Sequence, residues 1–250
     1  MKKLLFIPAL LVSSSVLLFT SCGNTSTNPS MKLPVQNSSD STTKNEARED
    51  DKKATATSSS SLSQADAKTK TTQNLQAAFK GETTASAKYA AYSKKAEQEG
   101  FHQIALLFKA ASTAENIHAN NHKAVLQEMG AAAASVIPEF TVKSTKENLE
   151  DAIAGETYEA TIMYPDFLNT ANIAGEQLAL ISLNYAYKTE KKHRVMYETA
   201  LTALQNNTLQ SLPTVFYVCP TCGNTYETKA PARCGISMTF SEKFITINSL

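Results

Sequence analysis

The sequence contains two Glu-x-x-His pairs that could each hold a metal ion. Glu115 and His118 lie in a stretch with helical periodicity, and Glu190 and His193 repeat the pair 75 residues later. Side chains three residues apart lie one turn apart on the same helix face, so a carboxylate and an imidazole can bind one ion together. A third match, at residues 99–102, crosses a glycine that breaks the helical pattern, and we interpret it as accidental.

Further carboxylates fall on the apolar stripes of the same segments. Gly81-Glu82-Thr83 recurs 74 residues later as Gly155-Glu156-Thr157, and Glu159 follows one turn after Glu156. An ionised carboxylate in a protein core costs several kcal/mol unless it is neutralised, and two ferrous ions would bring +4 against five such groups. Carboxylate-rich ligation with two imidazoles suits iron or manganese better than structural zinc. The candidate metal ligands of this cluster are Glu82, Glu115, His118, Glu156, Glu159, Glu190 and His193.

Four helical segments must position these side chains. Helical periodicity runs over residues 73–205, with breaks at Gly100, over residues 131–145 and at Gly175. Two helical hairpins joined by a long link predict a mainly α fold, a four-helix bundle with one long crossover at residues 72–208. The repeat offset grows from 74 to 75 within the third helix, and Tyr164-Pro165 predicts a bulge or kink there.

Residues 214–250 form a second, small unit with a cysteine knuckle. Cys219-Pro-Thr-Cys222 and Cys234-Gly-Ile-Ser237 are set among alternating apolar residues that predict short strands. Two C-x-x-C loops would make a strong tetrahedral thiolate site, but Ser237 stands at the fourth position. Three interpretations stay open: Ser237 binds iron, three thiolates hold iron or zinc with water, or the site is metal-free with a Cys219–Cys222 disulfide.

These motifs together resemble the rubrerythrin family. The resemblance rests on Gly81-Glu-Thr with Tyr89, Ala114-Glu-x-x-His118, Gly155-Glu-Thr-Tyr-Glu159 with Tyr164-Pro-Asp-Phe, and Glu190-Lys-Lys-His193. The tail is similar to the rubredoxin-like domain of the same family, with three of its four cysteines. The resemblance implies a ferritin-like diiron bundle that reduces hydrogen peroxide to water, and a tail that feeds electrons to it from a donor that the sequence does not identify.

The resemblance also implies roles for single residues. The seven candidate ligands become iron ligands, and one iron moves between His118 and Glu159 as its oxidation state changes. Tyr89 and Tyr164 match two tyrosines beside the family's site, so Glu159, Tyr89 and Tyr164 are the candidate catalytic residues; both tyrosines could equally be core aromatics. His122 is expected to pack beside the site. A homodimer, in which one tail meets the other subunit's bundle, is the family expectation.

The N-terminus predicts a lipid-anchored protein of the cell envelope. Residues 1–21 contain two lysines, an apolar run and a small pair before Cys22, which resembles a lipoprotein signal with cleavage and lipid attachment at Cys22. An ordinary cleaved signal or an uncleaved anchor is the alternative. Residues 22–71 are rich in Ser, Thr, Asn and Lys, and they predict a disordered tether between membrane and bundle.

The composition of the chain limits which partners and functions are expected. The formal net charge is +1 and no basic patch stands out, so nucleic acid is not an expected partner. The rival to a peroxidase is a ferroxidase-type protein that oxidises and sequesters Fe(II) without steady turnover. The altered tail site and the unidentified electron donor keep this rival open.

Overall fold

The computed structural model describes residues 62–250 of the chain. The signal segment, the candidate lipidation site Cys22 and most of the predicted tether lie outside the described residues. The helices are α1 (Gln64–Gln98), α2 (His102–Glu128), α3 (Thr145–Tyr158), a π-helical segment (Glu159–Met163), α4 (Tyr164–Ala174) and α5 (Gln177–Gln205). None of the helices within residues 62–250 is both long enough and apolar enough to cross a membrane.

The helices form two hairpins, as the repeat predicts. Helix α1 packs along α2, and α3 and α4 pack along α5. Each hairpin turns at a glycine in the left-handed conformation, Gly100 at φ +83° and Gly175 at φ +75°. His102 begins α2 with an exposed side chain that bonds to Glu97, so the third Glu-x-x-His match lies on this turn, away from the core. Residues 130–144 cross between the hairpins, which confirms the bundle with one long crossover.

The first helix begins earlier than composition predicts. Ser63 caps α1 by accepting a hydrogen bond from Asp66 N, and Asp66 places a negative charge in the first turn. Ala67 and Thr71 are buried against the bundle. These contacts make residues 64–71 part of the bundle, which corrects the predicted boundary between tether and bundle at residue 72.

The third helix of the bundle is interrupted by a π-helical segment. Glu159–Met163 joins α3 to α4 without a break, and Pro165 is the second residue of α4, where the missing N–H removes one hydrogen bond of the continuous helix. A π-helical turn accommodates one extra residue, so the segment accounts for the change of repeat offset from 74 to 75. The predicted bulge is confirmed, and Glu159 is its first residue.

The tail is a small sheet that packs on its own bundle. Strands β1 (Phe216–Val218), β2 (Thr225–Glu227) and β3 (Ile245–Ile247) form an antiparallel sheet in the order β2-β1-β3. Phe216 and Val218 belong to the same apolar cluster as Phe108 of α2 and Tyr197 of α5. Because bundle and tail share this cluster, they form one packed unit.

Candidate metal centre

Four helices bring six buried side chains together in the middle of the bundle. The set consists of Glu82 from α1, Glu115 and His118 from α2, Glu156 from α3, and Glu190 and His193 from α5. Each is at most 1% exposed. Their ligand atoms form two groups, one of Glu82, Glu115, His118 and Glu190 and the other of Glu115, Glu156, Glu190 and His193, and within each group all lie within 4.8 Å of one another. We call this set the bundle cage.

Glu115 and Glu190 belong to both groups and give one oxygen to each. His118 Nδ1 lies 2.9 Å from Glu115 Oε2 and 2.9 Å from Glu190 Oε1. His193 Nδ1 lies 3.1 Å from Glu115 Oε1 and 3.1 Å from Glu190 Oε2. The cage therefore has two equivalent halves, and two carboxylates join them.

Glu82 and Glu156 each belong to one half only, and a tyrosine holds each of them. Tyr89 donates a hydrogen bond to Glu156 Oε1 at 2.8 Å, and Tyr164 donates to Glu82 Oε1. The second oxygen of each carboxylate, Oε2, is buried without a hydrogen-bond partner. The tyrosines thus lie beside the cage as predicted, and they leave one oxygen of each terminal carboxylate free for an ion.

The donor atoms of the cage fit a pair of metal ions. Glu82 Oε2 and Glu156 Oε2 are buried without a hydrogen-bond partner. Glu115 Oε1, both oxygens of Glu190 and His193 Nδ1 lie within 3.1 Å of an oppositely charged partner but lack hydrogen-bond geometry. Each such atom costs about 1–3 kcal/mol when it is buried unpaired, so their convergence is unfavourable without cations. Carboxylate oxygens and imidazole nitrogens are the ligands that iron and manganese accept.

The tail fixes the orientation of both histidine rings. His118 Nε2 lies 3.0 Å from the carbonyl oxygen of Cys222, which can only accept, so Nε2 carries the hydrogen and Nδ1 faces the cage. His193 Nε2 lies 2.9 Å from Thr225 Oγ1. Metal-binding histidines usually donate their other N–H to such a partner. Sequence reasoning missed both acceptors, since a carbonyl and a lone threonine carry no motif.

The tail approaches α2 so closely that only glycine fits at residue 223. Gly223 has φ +76°, and a Cβ there would lie 2.3 Å from His118 Nε2 and 3.1 Å from Ala114 O. Asn121 Nδ2 adds a hydrogen bond to Thr221 O at 3.0 Å. The contact between tail and cage therefore lies within one chain, whereas the family resemblance implies one between subunits.

The metal-free cage attracts protons to the atoms that face the ion positions. Burial, together with neighbouring carboxylates, raises the pKa of Glu82 and of Glu156 well above 4.5. Burial opposes protonation of His193, but Glu115 and Glu190 outweigh it and raise the pKa of His193 to about 9. Burial also acts to raise the pKa of Glu115, yet the two histidines hold it at about 2. In protein from which the metal has been removed, protons would therefore neutralise these carboxylates in place of cations.

In protein without metal, the contribution of the cage to stability should fall as the pH rises. A group whose pKa is raised on folding stabilises the folded state below its unfolded value and loses that effect as the pH rises through the folded value. Glu82 and Glu156 lose their stabilising effect as the pH rises above 4.5, and His193 loses its effect between pH 6.5 and about pH 9.

We therefore expect the Tm advantage of the metal-free protein over its metal-free His193→Gln variant to shrink by more than about 4 °C between about pH 6 and about pH 9, since 1 kcal/mol moves the Tm of a domain this size by about 2–4 °C. The comparison isolates His193 from Cys219 and His122, whose lowered pKa values act in the opposite direction. Calorimetry of the two proteins measures the difference, and a Tm difference that grows over this range would contradict the cage electrostatics.

Glu159 lies apart from both groups of the cage. It is only half-buried, at the start of the π-helical segment, and its predicted role as an iron ligand stays a prediction. Burial and the carboxylates of Glu190 and Glu115 raise the pKa of Glu159 well above 4.5. Its counterpart in the first half of the repeat is Ala85, so the two halves of the cage differ at this position.

His122 lies behind the cage, as expected from its spacing. Its Nδ1 is 2.8 Å from Ser182 Oγ, and its Nε2 is 3.2 Å from Tyr164 OH. Burial lowers the pKa of His122 to about 3, so the ring is neutral at physiological pH. A chain of hydrogen bonds thus runs from Ser182 through His122 and Tyr164 to Glu82.

The tail holds a second group of candidate ligands. Cys219, Cys222 and Cys234 are buried, their thiols are free, and the sulfurs form one group within 4.8 Å. Cys222 Sγ and Cys234 Sγ are 3.4 Å apart. A hydrogen bond from Cys222 lowers the pKa of Cys219 to about 4. The three sulfurs converge, and one of them is readily deprotonated to a thiolate. This arrangement suits a tetrahedral metal ion.

Comparisons with known proteins support the interpretation of the bundle cage as a metal centre. Residues 73–201 match the family model described as Rubrerythrin. The chain belongs to the rubrerythrin family. It is 34% identical over 172 residues to rubrerythrin-2 of Clostridium acetobutylicum, across 68% of this chain and 92% of the relative. It is 34% identical over 176 residues to nigerythrin of Nitratidesulfovibrio vulgaris, across 69% and 85% of the two chains.

Solved structures support the same assignment. The fully reduced, all-ferrous state of nigerythrin superposes with a TM-score of 0.64 at 32% identity and covers 77% of this chain and 91% of that one. A bacterioferritin of Rhodobacter capsulatus, at 19% identity and a TM-score of 0.52, shows the ferritin-like fold alone; it covers 65% of this chain and 98% of its own. The diiron centre is the cofactor of the rubrerythrin family, and the bundle cage is its site in this chain. The three cysteines form the site of a rubredoxin-like metal.

Proposed function

We propose that this rubrerythrin-family oxidoreductase reduces hydrogen peroxide to water at the bundle cage. The observation that carries the proposal is the hydrogen bond from His118 Nε2 to the carbonyl of Cys222, because it links a ligand of the cage directly to a ligand residue of the tail site. Electrons that arrive at the tail would then have a short bonded route to the cage. A protein that only stores iron has no need of such a route.

Reduction of one peroxide to two waters consumes two electrons and two protons. When bound, an iron pair supplies the two electrons. Glu115 and Glu190 offer one oxygen to each half of the cage and would help to hold both ions, and the apolar clusters around the cage keep bulk water away. The remaining task for the protein is the delivery of protons.

Two side chains are placed to deliver those protons. Glu159 has a raised pKa and is partly exposed, so it can hold a proton and take another from solvent. Tyr164 donates to Glu82, and the neutral ring of His122 stands behind it. We assign proton delivery to Glu159 and Tyr164, and we assign to Tyr89 the positioning of Glu156.

Replacing Glu159 by alanine should separate proton delivery from iron binding. Because Glu159 belongs to neither four-residue group, we expect the variant to keep two iron ions per bundle. Oxidation of the reduced protein by peroxide should slow by at least about 100-fold, the lower end of what a general acid contributes. Rapid-mixing absorbance and iron analysis measure the two effects. Glu150→Ala, which removes an exposed carboxylate of α3, is the control; an unchanged peroxide rate in Glu159→Ala would refute the assignment.

The competing function is oxidation and storage of Fe(II) without sustained turnover. The serine in the tail site favours this alternative, because it departs from the four-cysteine pattern of an electron-transfer domain. Mixing the reduced full chain with peroxide or with oxygen decides between them. Faster oxidation by peroxide, with repeated turnover when a reductant is supplied, supports the peroxidase; faster oxidation by oxygen, with one turnover only, supports storage.

We also propose that the protein is held in the cell envelope by lipid on Cys22. Two features of the sequence support this proposal, the signal-like pattern of residues 1–22 and the polar segment after it. Labelling of the full chain with a radioactive fatty acid, and its loss in Cys22→Ala, tests the anchor. The homodimer stays a prediction.

A further inference from the structure

The first cysteine loop of the tail is closed by two backbone hydrogen bonds. Cys219 N–H donates to Asn224 O at 3.0 Å, and Gly223 N–H donates to Cys219 O at 2.9 Å. Gly223, directly after the second cysteine, has φ +76°. This turn brings the sulfurs of Cys219 and Cys222 into one metal-binding group.

The second loop repeats each of these features around a serine. Cys234 N–H donates to Thr239 O at 2.8 Å, and Met238 N–H donates to Cys234 O at 3.0 Å, with the same spacing as in the first loop. Met238, directly after Ser237, has φ +62°, a left-handed conformation that is unfavourable for a residue with a Cβ. Ser237 therefore occupies the place that Cys222 has in the first loop.

The Ser237 hydroxyl also lies beside the sulfurs of the three cysteines. Its Oγ lies 3.2 Å from Cys219 Sγ, which belongs to one group with the sulfurs of Cys222 and Cys234. On its other side it bonds to Thr239 Oγ1 at 2.9 Å. A tetrahedral ion held by three thiolates needs one further ligand, and this oxygen lies directly against the sulfur group.

We propose that Ser237 Oγ is the fourth ligand of the tail metal, which makes the site Cys3Ser rather than three thiolates and a water. The second loop keeps the backbone of a ligand loop, including the unfavourable conformation of Met238, although the ligand atom has changed from sulfur to oxygen. The proposal does not depend on the reaction at the bundle cage.

Cobalt binding to the full chain tests the affinity that Ser237 contributes. Sulfur-to-cobalt charge-transfer absorption reports the tail alone, since the bundle cage contains no cysteine. Ser237→Ala should weaken cobalt binding at least about tenfold, the lower end of the loss that follows removal of even an outer partner. Ser237→Cys should increase the absorption per ion by about one third, as four thiolates replace three. Ser241→Ala, in the same domain, should bind as the unaltered protein does.

A water ligand is detected directly in the unaltered protein. Electron–nuclear double resonance of the mononuclear ferric tail ion in ¹⁷O-enriched water should show no directly bound ¹⁷O. The same measurement on Ser237→Ala should show one, because water fills the position that the hydroxyl leaves. A bound ¹⁷O in the unaltered protein, or equal cobalt affinity with and without the Ser237 hydroxyl, would overturn the proposal. The first measurement decides even if the alanine variant does not fold.

Discussion

Replacing Glu190 by alanine is expected to leave less than one iron ion in each bundle. Each oxygen of Glu190 faces a different histidine, so the change removes a ligand from both halves of the cage at once. The rate of oxidation by peroxide should fall more than about 100-fold, beyond the 10–100-fold that loss of an outer partner costs. Iron analysis after anaerobic loading and rapid-mixing absorbance measure the two effects.

Glu82→Ala is the matched control for this variant. Glu82 belongs to one half of the cage only, so its loss should leave one iron ion bound beside His193, with the other position empty. Both variants remove one buried carboxylate from the same bundle, so a general loss of stability would affect them alike. Equal iron contents in the two variants would contradict the bridging role of Glu190.

Replacing Gly223 by alanine should uncouple the tail from the cage without removing a ligand. The new Cβ would lie 2.3 Å from His118 Nε2, so the loop must move away and the hydrogen bond between His118 and Cys222 is lost. We expect electron transfer from the reduced tail to the oxidised cage to slow by at least about tenfold, as for other lost outer partners of metal-bound histidines. Rapid reduction followed by absorbance at both sites measures the transfer.

Gly235→Ala provides the control in the same domain. Gly235 has no left-handed φ, and a Cβ there would meet only Tyr226 OH at 3.7 Å, an ordinary contact. This variant should transfer electrons as the unaltered protein does. If Gly223→Ala also transfers electrons at the normal rate, the route through His118 is wrong.

The ligands of the bundle could be predicted from sequence because the chain repeats itself. Charged side chains on apolar stripes are unfavourable unless something neutralises them, and the duplication of Glu115 and His118 as Glu190 and His193 excludes coincidence. The change of offset also placed an inserted residue between Thr157 and Gly175, the interval in which the π-helical segment lies. Each motif lies within a few helical turns, and its copy is recognisable 74 or 75 residues away.

The contacts of the tail could not be predicted in the same way. His118 and Cys222 are 104 residues apart, and the acceptor is a backbone carbonyl that any residue could supply. Thr225 has no feature that distinguishes it from other threonines before it meets His193. The need for glycine at residue 223 comes from the approach of α2 as much as from the turn itself.

The start of α1 was missed for a different reason. Residues 64–71 are polar enough to resemble the preceding tether, although Ser63 and Asp66 carry a recognisable cap. Burial of Ala67 and Thr71 by tertiary packing decides the helix, and composition does not report it. Composition therefore placed the boundary too late.

The central claim is that the bundle holds two iron ions that react with peroxide as a pair. Mössbauer spectroscopy of the full chain, loaded anaerobically with ⁵⁷Fe(II), counts the bundle ions separately from the tail ion and follows them during addition of peroxide. We predict two ferrous ions per bundle, both oxidised by one equivalent of peroxide, as two electrons per peroxide require. Fewer than one bundle ion per chain, or oxidation of only one ion of the two, would contradict the account.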